Sequence, residues 1–197
     1  MLHRDLILNA AKADHAVTKI ARQLYFLTSS YAFHKNHDTQ LELYEKICVK
    51  FSLPLSAIRL VGSAHTGFSL VKGTNFDKST SDLDIAIVDS GLYLQLFQMA
   101  FKETNAWSDT SKFPGIATKQ IANKDNFLKY LRKGVIRPDL LPSSPLKADW
   151  ENFFGKLSDE YSAFCNQISA GVYATEHFMA AKQESALNIY LSNQGSI

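Results

Sequence analysis

Two short motifs in the first half of the chain carry residue types that suit phosphate and metal chemistry. Gly62 and Ser63 directly follow an apolar run, whereas Ser81, Asp82 and Asp84 lead directly into another. Both runs are short and partly β-branched, which predicts two strands. The motifs therefore mark the end of one strand and the beginning of the next.

The two aspartates share one face of the second predicted strand. Side chains alternate along a strand, so Asp82 and Asp84 point to one face while Leu83 and Ile85 point into the core. Two neighbouring carboxylates repel each other unless a cation lies between them. Mg²⁺ prefers one or two protein carboxylates and takes its other ligands from water and substrate phosphates. We therefore expect Asp82 and Asp84 to bind Mg²⁺ beside a nucleoside triphosphate.

Gly62 and Ser63 supply the other half of such a site. Glycine at the end of a strand lets the backbone approach a phosphate closely, and Ser63 offers an N–H and a hydroxyl there. Each motif alone is also common as an ordinary turn. Their combination in one strand–loop–strand unit favours the catalytic interpretation.

This combination resembles the nucleotidyltransferase superfamily, whose fold is shared by DNA polymerase beta, minimal nucleotidyltransferases, aminoglycoside nucleotidyltransferases and cyclic-oligonucleotide synthases. The resemblance implies a sheet flanked by helices and transfer of a nucleoside monophosphate to a hydroxyl of a small molecule, RNA or protein. It places triphosphate at Gly62 and Ser63, and Mg²⁺, as two ions in an active enzyme, at Asp82 and Asp84. A bacterial toxin–antitoxin or antiphage setting is consistent with it.

The chain departs from the superfamily in the loop between the motifs, which is longer than in the compact members. Polar residues of this loop are candidates for phosphate contacts, although any one of them is more often an ordinary loop residue. They are Ser69, Lys72, Lys78, Ser79 and Ser81.

A second departure concerns the third carboxylate that the superfamily carries on a later strand to help deprotonate the acceptor hydroxyl. The best later strand, residues 167–174, has Ser169 and Gly171 where an acid belongs. Asp139 is the remaining candidate, although Pro138 before it favours a turn. Without a third acid, the chain is either a two-carboxylate enzyme or a catalytically degenerate copy that binds a nucleotide or a partner protein.

Positive charge is concentrated between Lys112 and Arg137, where Lys119 is one of several basic residues. This segment either steers a triphosphate or an RNA acceptor towards the site or forms a solvated helix surface. Lys182 in the last helix reaches a phosphate if that helix packs beside the sheet, and is otherwise an ordinary exposed lysine.

Periodic apolar residues predict an α+β (mixed α/β) fold with a small sheet. The resemblance implies that this is a nucleotidyltransferase-type sheet flanked by helices. The predicted helices cover residues 3–32, 41–51, 92–103, 125–133 and 150–164, with a last helix after Thr175. The predicted strands cover residues 58–61, 85–88 and 167–174. We expect one domain over residues 1–197, with an N-terminal helical segment to about residue 55 and C-terminal helices packed on it.

Three local signals refine this pattern. Asp125 is a predicted N-cap and Gly134 a predicted helix stop. The closely spaced Pro138, Pro142 and Pro145 predict an extended connection.

Composition bounds the class of protein. The chain has 197 residues, of which 46% are hydrophobic and 20% are charged, as in soluble globular proteins. No apolar run is long enough for a membrane span and the N-terminus lacks secretory features, so we expect a cytoplasmic protein without a membrane partner.

Cys48 and Cys165 are expected to be buried reduced thiols, with a disulfide or a metal site as alternatives. His65 is the one histidine close to a motif. The acceptor, the preferred triphosphate and the oligomeric state are not indicated.

Overall fold

The computed structural model describes residues 2–113 and 123–194. Its helices are α1 Leu2–Lys12, α2 Val17–Leu27, α3 His37–Phe51, α4 Gly62–Thr66, α5 Ser90–Glu103, α6 Asn123–Leu131, α7 Pro145–Glu160 and α8 Glu176–Asn193. Short 3-10 helices lie at Leu55–Ala57 and Pro138–Leu140. Its strands are β1 Ile58–Val61, β2 Leu83–Val88, β3 Val135–Ile136 and β4 Ile168–Tyr173.

The strands form one mixed sheet in the order β1-β2-β4-β3. β2 pairs antiparallel with β1 and parallel with β4, and β3 pairs antiparallel with the other edge of β4. The predicted α+β class with a small sheet flanked by helices is confirmed. The single-domain organisation stays a prediction.

Different helices cover the two faces of the sheet. Leu83 and Ile85 on one face belong to a large buried core with residues of α3, α5 and α7. On the other face, Ala86 and Tyr173 lie in a second buried core with residues of α1, α2 and α8. Because side chains alternate along β2, Asp84 shares this second face, which we call the aspartate face. α8 therefore packs on the same side of the sheet as Asp84.

The prediction of one helix over residues 3–32 is wrong. The chain forms α1 and α2 instead, because Asp14 adopts a left-handed backbone with φ 54°. The N–H of His15 donates to the carbonyl of Ala10 at 3.0 Å, which closes the end of α1. Aspartate tolerates this conformation, so one residue ends the helix while the apolar spacing continues through the break.

The proline-rich segment is only partly the extended connection that we predict, because Leu141 and Ser144 are extended but helices begin at two of the prolines. Val135–Ile136 forms the edge strand β3, Pro138 begins a 3-10 helix, and Pro145 begins α7. Proline suits the first turn of a helix because the N–H that it lacks has no partner within the helix there. The same residue type that breaks a helix therefore begins two of them.

Two predicted helix boundaries also differ. α6 begins at Asn123, so Asp125 lies in its first turn and is not its N-cap. α7 ends at Glu160, several residues before the predicted end. Apolar spacing identifies the buried face of a helix but not its ends. Gly134 adopts φ 68° just beyond α6, as its predicted role of helix stop requires.

Both cysteines are free thiols, as predicted, with Cys165 buried and Cys48 half-buried. Burial raises the pKa of the Cys165 thiol to about 11, which keeps it protonated and unreactive. None of the described helices is both long and apolar enough to cross a membrane.

Candidate functional site

An open cavity of about 660 Å³ is lined by α2 and α8 on the aspartate face, by α7 on the opposite face, and by the segment after β3. Most of the residues that the sequence singles out line this one cavity. They are Gly62, Ser63, Asp82, Asp84, Asp139 and Lys182. The fold thus collects in one place residues that are separated by more than half of the chain.

Each aspartate is oriented by a neutral donor from the beginning of β4. Asn166 Nδ2 donates to Asp82 Oδ1 at 3.2 Å, and the Ser169 hydroxyl donates to Asp84 Oδ1 at 3.0 Å. Both carboxylates are exposed to the cavity. Among the described residues, neither Oδ2 atom accepts a hydrogen bond, which leaves both available to a ligand.

The surroundings of Asp84 raise the pKa of its carboxyl above the ordinary value. The largest cause is the protein around the carboxylate, which displaces part of its hydration although solvent still reaches it. The hydrogen bond from Ser169 and the positive charges of Arg137 and Lys182 act in the opposite direction, while the negative charge of Asp82 adds to the rise. A cation bound between the two carboxylates would relieve both unfavourable contributions.

Gly62 packs directly against Asp84. Val61 is paired with Asp84 between β1 and β2, so the chain leaves β1 beside this carboxylate. Gly62 adopts φ 65°, and a Cβ at this position would lie 2.8 Å from Asp84 Oδ2. Only glycine combines this left-handed conformation with so close an approach to the carboxylate.

The β4 position beside Asp84, where an acid would complete a three-carboxylate site, is occupied by Ser169. Asp139 also lines the cavity, but Arg137 holds both of its carboxylate oxygens, at 3.1 Å from Nε and 2.7 Å from Nη2. Within residues 2–113 and 123–194, no three His, Cys, Asp or Glu side chains are grouped as a metal site. The catalytic role of Asp139 stays a prediction.

The positive charges at the cavity come from two elements. α8 packs on the aspartate face and brings Lys182 to the cavity wall, as the prediction for this residue requires. In the basic segment, Arg137 lines the cavity, whereas Lys112 is ion-paired with Glu103 at 2.6 Å. Lys119 lies outside the described residues.

The loop between the two motifs contributes Ser69 to the cavity, but Lys72 and Ser81 are not among the described residues that line it. The Ser81 hydroxyl instead accepts a hydrogen bond from the Asp77 N–H at 3.1 Å. Lys72 lies in an exposed turn, with its N–H bonded to the Ser69 hydroxyl. Roles of Lys72 and Ser81 in phosphate binding stay predictions.

Sequence reasoning missed three buried polar residues that line the cavity, namely Tyr25, Tyr173 and Gln183. The two tyrosines occupy apolar positions of their helix and strand, so their spacing indicates only core packing. Gln183 offered a signal, because it lies four residues from both Met179 and Leu187 on the buried stripe of α8. A polar residue in such an apolar stripe indicates that its surroundings are not purely apolar.

His65 is buried behind the first motif and does not line the cavity. Its Nε2 lies 2.7 Å from the carbonyl of Leu24 and 3.1 Å from the Thr28 hydroxyl. Its ring packs 4.9 Å from the ring of Tyr25 and 5.3 Å from that of His3. His65 therefore joins α4 to α2 and α1.

This burial predicts a pH-dependent stability. Desolvation lowers the pKa of His65 to about 4, so the unfolded chain binds a proton near pH 6.5 before the folded protein does. Between pH 6.5 and about pH 4, His65 is expected to remove about 1.4 kcal/mol from the free energy of unfolding for each pH unit of acidification. Urea unfolding across this range measures the slope.

The matched variants for this prediction are His65→Gln and His34→Gln. The first is expected to flatten the slope, whereas the second, at an exposed position, is expected to retain it. Equal slopes in the wild type and His65→Gln would show that His65 does not cause the pH dependence of stability.

Comparisons with protein-family models, with curated proteins and with solved structures each found no match for this chain. The resemblance to the nucleotidyltransferase superfamily therefore stays a prediction based on the two motifs. What the chain does has to be inferred from the cavity and its residues.

Proposed function

We propose that this protein is a Mg²⁺-dependent nucleotidyltransferase that transfers a nucleoside monophosphate from a nucleoside triphosphate to a hydroxyl acceptor. The observation that carries the proposal is the contact between the two motifs. The Gly62 backbone approaches Asp84 so closely that a Cβ would lie 2.8 Å from its Oδ2. A turn suited to phosphate and a pair of carboxylates suited to metal are thus adjacent walls of one cavity.

The donor set fits Mg²⁺. Asp82 and Asp84 offer two carboxylates from one face, and the raised pKa of Asp84 reflects an unfavourable negative charge that a cation would offset. Mg²⁺ bound there supplies charge neutralisation at the phosphoryl group and activation of the incoming hydroxyl. Asp82 and Asp84 are the residues that would hold it.

Other residues of the cavity have roles that follow from their chemistry. Asn166 and Ser169 fix the orientation of the two carboxylates through their hydrogen bonds. Ser63, next to the turn, offers an N–H and a hydroxyl to phosphate oxygens. The ammonium group of Lys182 contributes positive charge that offsets the charge of the triphosphate.

Pyrophosphate release tests the proposal. Wild-type protein with Mg²⁺, each of the four ribonucleoside triphosphates and a small-molecule, RNA or protein acceptor is expected to release pyrophosphate with at least one combination. The double variant Asp82→Asn/Asp84→Asn is expected to lose this release, and Asp159→Asn, an exposed carboxylate of α7 outside the cavity, is expected to retain it. Equal release by the wild type and the double variant would contradict the proposal.

A second candidate function is a catalytically silent module that binds a nucleotide or a partner protein. The observation that favours it is Ser169, which occupies the β4 position beside Asp84 where a third acid would lie. Asp139, the other candidate acid, is held by Arg137. Mg²⁺-dependent triphosphate binding without pyrophosphate release would indicate a nucleotide-binding module, and absence of binding a protein-interaction module.

A further inference from the structure

We infer that the part of the cavity between α2, β4 and α8 is a nucleobase subsite, in which Gln183, Tyr25 and Tyr173 recognise the base of the bound triphosphate through uncharged hydrogen bonds. This inference rests on the proposed function, because it assigns the base of the same substrate whose phosphates lie at Asp82 and Asp84.

The first observation is a group of buried polar side chains without protein partners. Tyr25, Tyr173 and Gln183 are 2%, 7% and 7% exposed, and all three line the cavity. The Tyr25 hydroxyl is fully buried and has no hydrogen-bond partner among the described residues. Neither the Tyr173 hydroxyl nor the Gln183 amide bonds to any described residue. Buried polar groups are nearly always hydrogen-bonded. The unpaired Tyr25 hydroxyl, in a cavity that Tyr173 and Gln183 also line, therefore indicates a ligand that pairs it.

The second observation is the character of the surrounding wall. Val61, Leu70 and Val135 line the cavity and belong to the same buried core as the two tyrosines. Ala186 and Gly171 add little volume beside them. A concave apolar surface with a few polar groups is typical of a small-molecule site, and a planar base offers both flat faces and a hydrogen-bonding edge.

The third observation is charge. Burial raises the pKa of Tyr173 to about 12 and that of Tyr25 as well, so both phenols stay neutral. The proposed function assigns the phosphates to the charged part of the cavity, which leaves the neutral groups for the base. The charged residues that line the cavity are Asp82, Asp84, Arg137, Asp139, Glu151 and Lys182.

The test compares two kinds of ligand in the presence of Mg²⁺. One is a set of non-hydrolysable nucleoside triphosphates, one for each of the four bases, and the other is inorganic tripolyphosphate, which has no base. Isothermal titration calorimetry is applied to wild type, Tyr25→Phe and Gln183→Met. The control is Tyr161→Phe, which changes a buried tyrosine outside the cavity. Thermal unfolding checks the fold, and Tyr25→Phe is expected to be at least as stable as the wild type because it removes an unpaired hydroxyl.

Wild type is expected to bind one nucleoside triphosphate more tightly than tripolyphosphate. Tyr25→Phe and Gln183→Met are each expected to weaken binding of that triphosphate by about tenfold, the worth of one hydrogen bond, and to leave tripolyphosphate binding unchanged. Tyr161→Phe is expected to change neither. Together these results would establish the subsite.

Different results overturn the two proposals. If tripolyphosphate binding depends on Asp82 and Asp84 but the base adds no affinity, or if Tyr25→Phe and Gln183→Met bind triphosphates as wild type does, the base subsite is wrong and the metal site stands. If Asp82→Asn/Asp84→Asn leaves tripolyphosphate binding unchanged, or if wild type binds neither ligand, the proposed function is wrong and the subsite with it.

Discussion

Asp84→Asn is expected to abolish Mg²⁺-dependent triphosphate binding without loss of the fold. The substitution removes one of two candidate metal ligands, so we expect at least about 100-fold weaker binding, since even residues behind the ligands account for 10- to 100-fold in metal affinity. Asparagine can still accept the hydrogen bond from Ser169, and it removes the repulsion from Asp82. The free energy of unfolding is therefore expected to stay unchanged or to rise.

Calorimetric titration with a non-hydrolysable triphosphate and Mg²⁺, paired with urea unfolding, measures both effects. Asp159→Asn provides the control, because it removes an exposed carboxylate outside the cavity. Retained affinity in Asp84→Asn, or a loss of stability equal to the loss of binding, would contradict the role of Asp84 as a metal ligand.

Gly62→Ala is expected to damage both stability and binding. Alanine at φ 65° incurs the ordinary penalty for a left-handed residue, roughly 1–2 kcal/mol. In addition its Cβ would meet Asp84 Oδ2 at 2.8 Å, so the carboxylate has to move away from its position beside Ser169. We expect the free energy of unfolding to fall and triphosphate binding to be lost together.

Gly73→Ala separates these two effects. Gly73 has a similar backbone, with φ 73°, but a Cβ there would meet nothing within 4 Å. This variant is expected to show only the backbone penalty and to bind triphosphate normally. If Gly62→Ala and Gly73→Ala are equally destabilised and both retain binding, the close contact between the two motifs has no functional importance.

The sequence predicted the part of the site that depends on strands. Alternation along β2 placed Asp82 and Asp84 on one face, and the two motifs were correctly expected at the strand ends. These features are local, because a strand of period two determines its own side-chain directions. The residue that the sequence analysis names on the later strand, Ser169, is the β4 neighbour of Asp84.

The remainder of the site depends on tertiary packing, which a single sequence does not specify. Tyr25 reaches the cavity only because α2 packs beside α8 on the aspartate face. Arg137 holds Asp139 because Pro138 begins a 3-10 helix rather than an extended segment. The break at Asp14 is hidden because apolar spacing continues through it. Only the position of Tyr25 depends on contacts between distant segments. The other two features are local, but apolar spacing and the proline pattern do not specify them.

A crystal structure with Mg²⁺ and a non-hydrolysable nucleoside triphosphate tests the central claim most directly. We expect a cation bound to Asp82 and Asp84, with phosphate oxygens beside Gly62 and Ser63 and within reach of Lys182. A cation or triphosphate bound elsewhere on the protein, with the Asp82 and Asp84 carboxylates contacting neither, would contradict it.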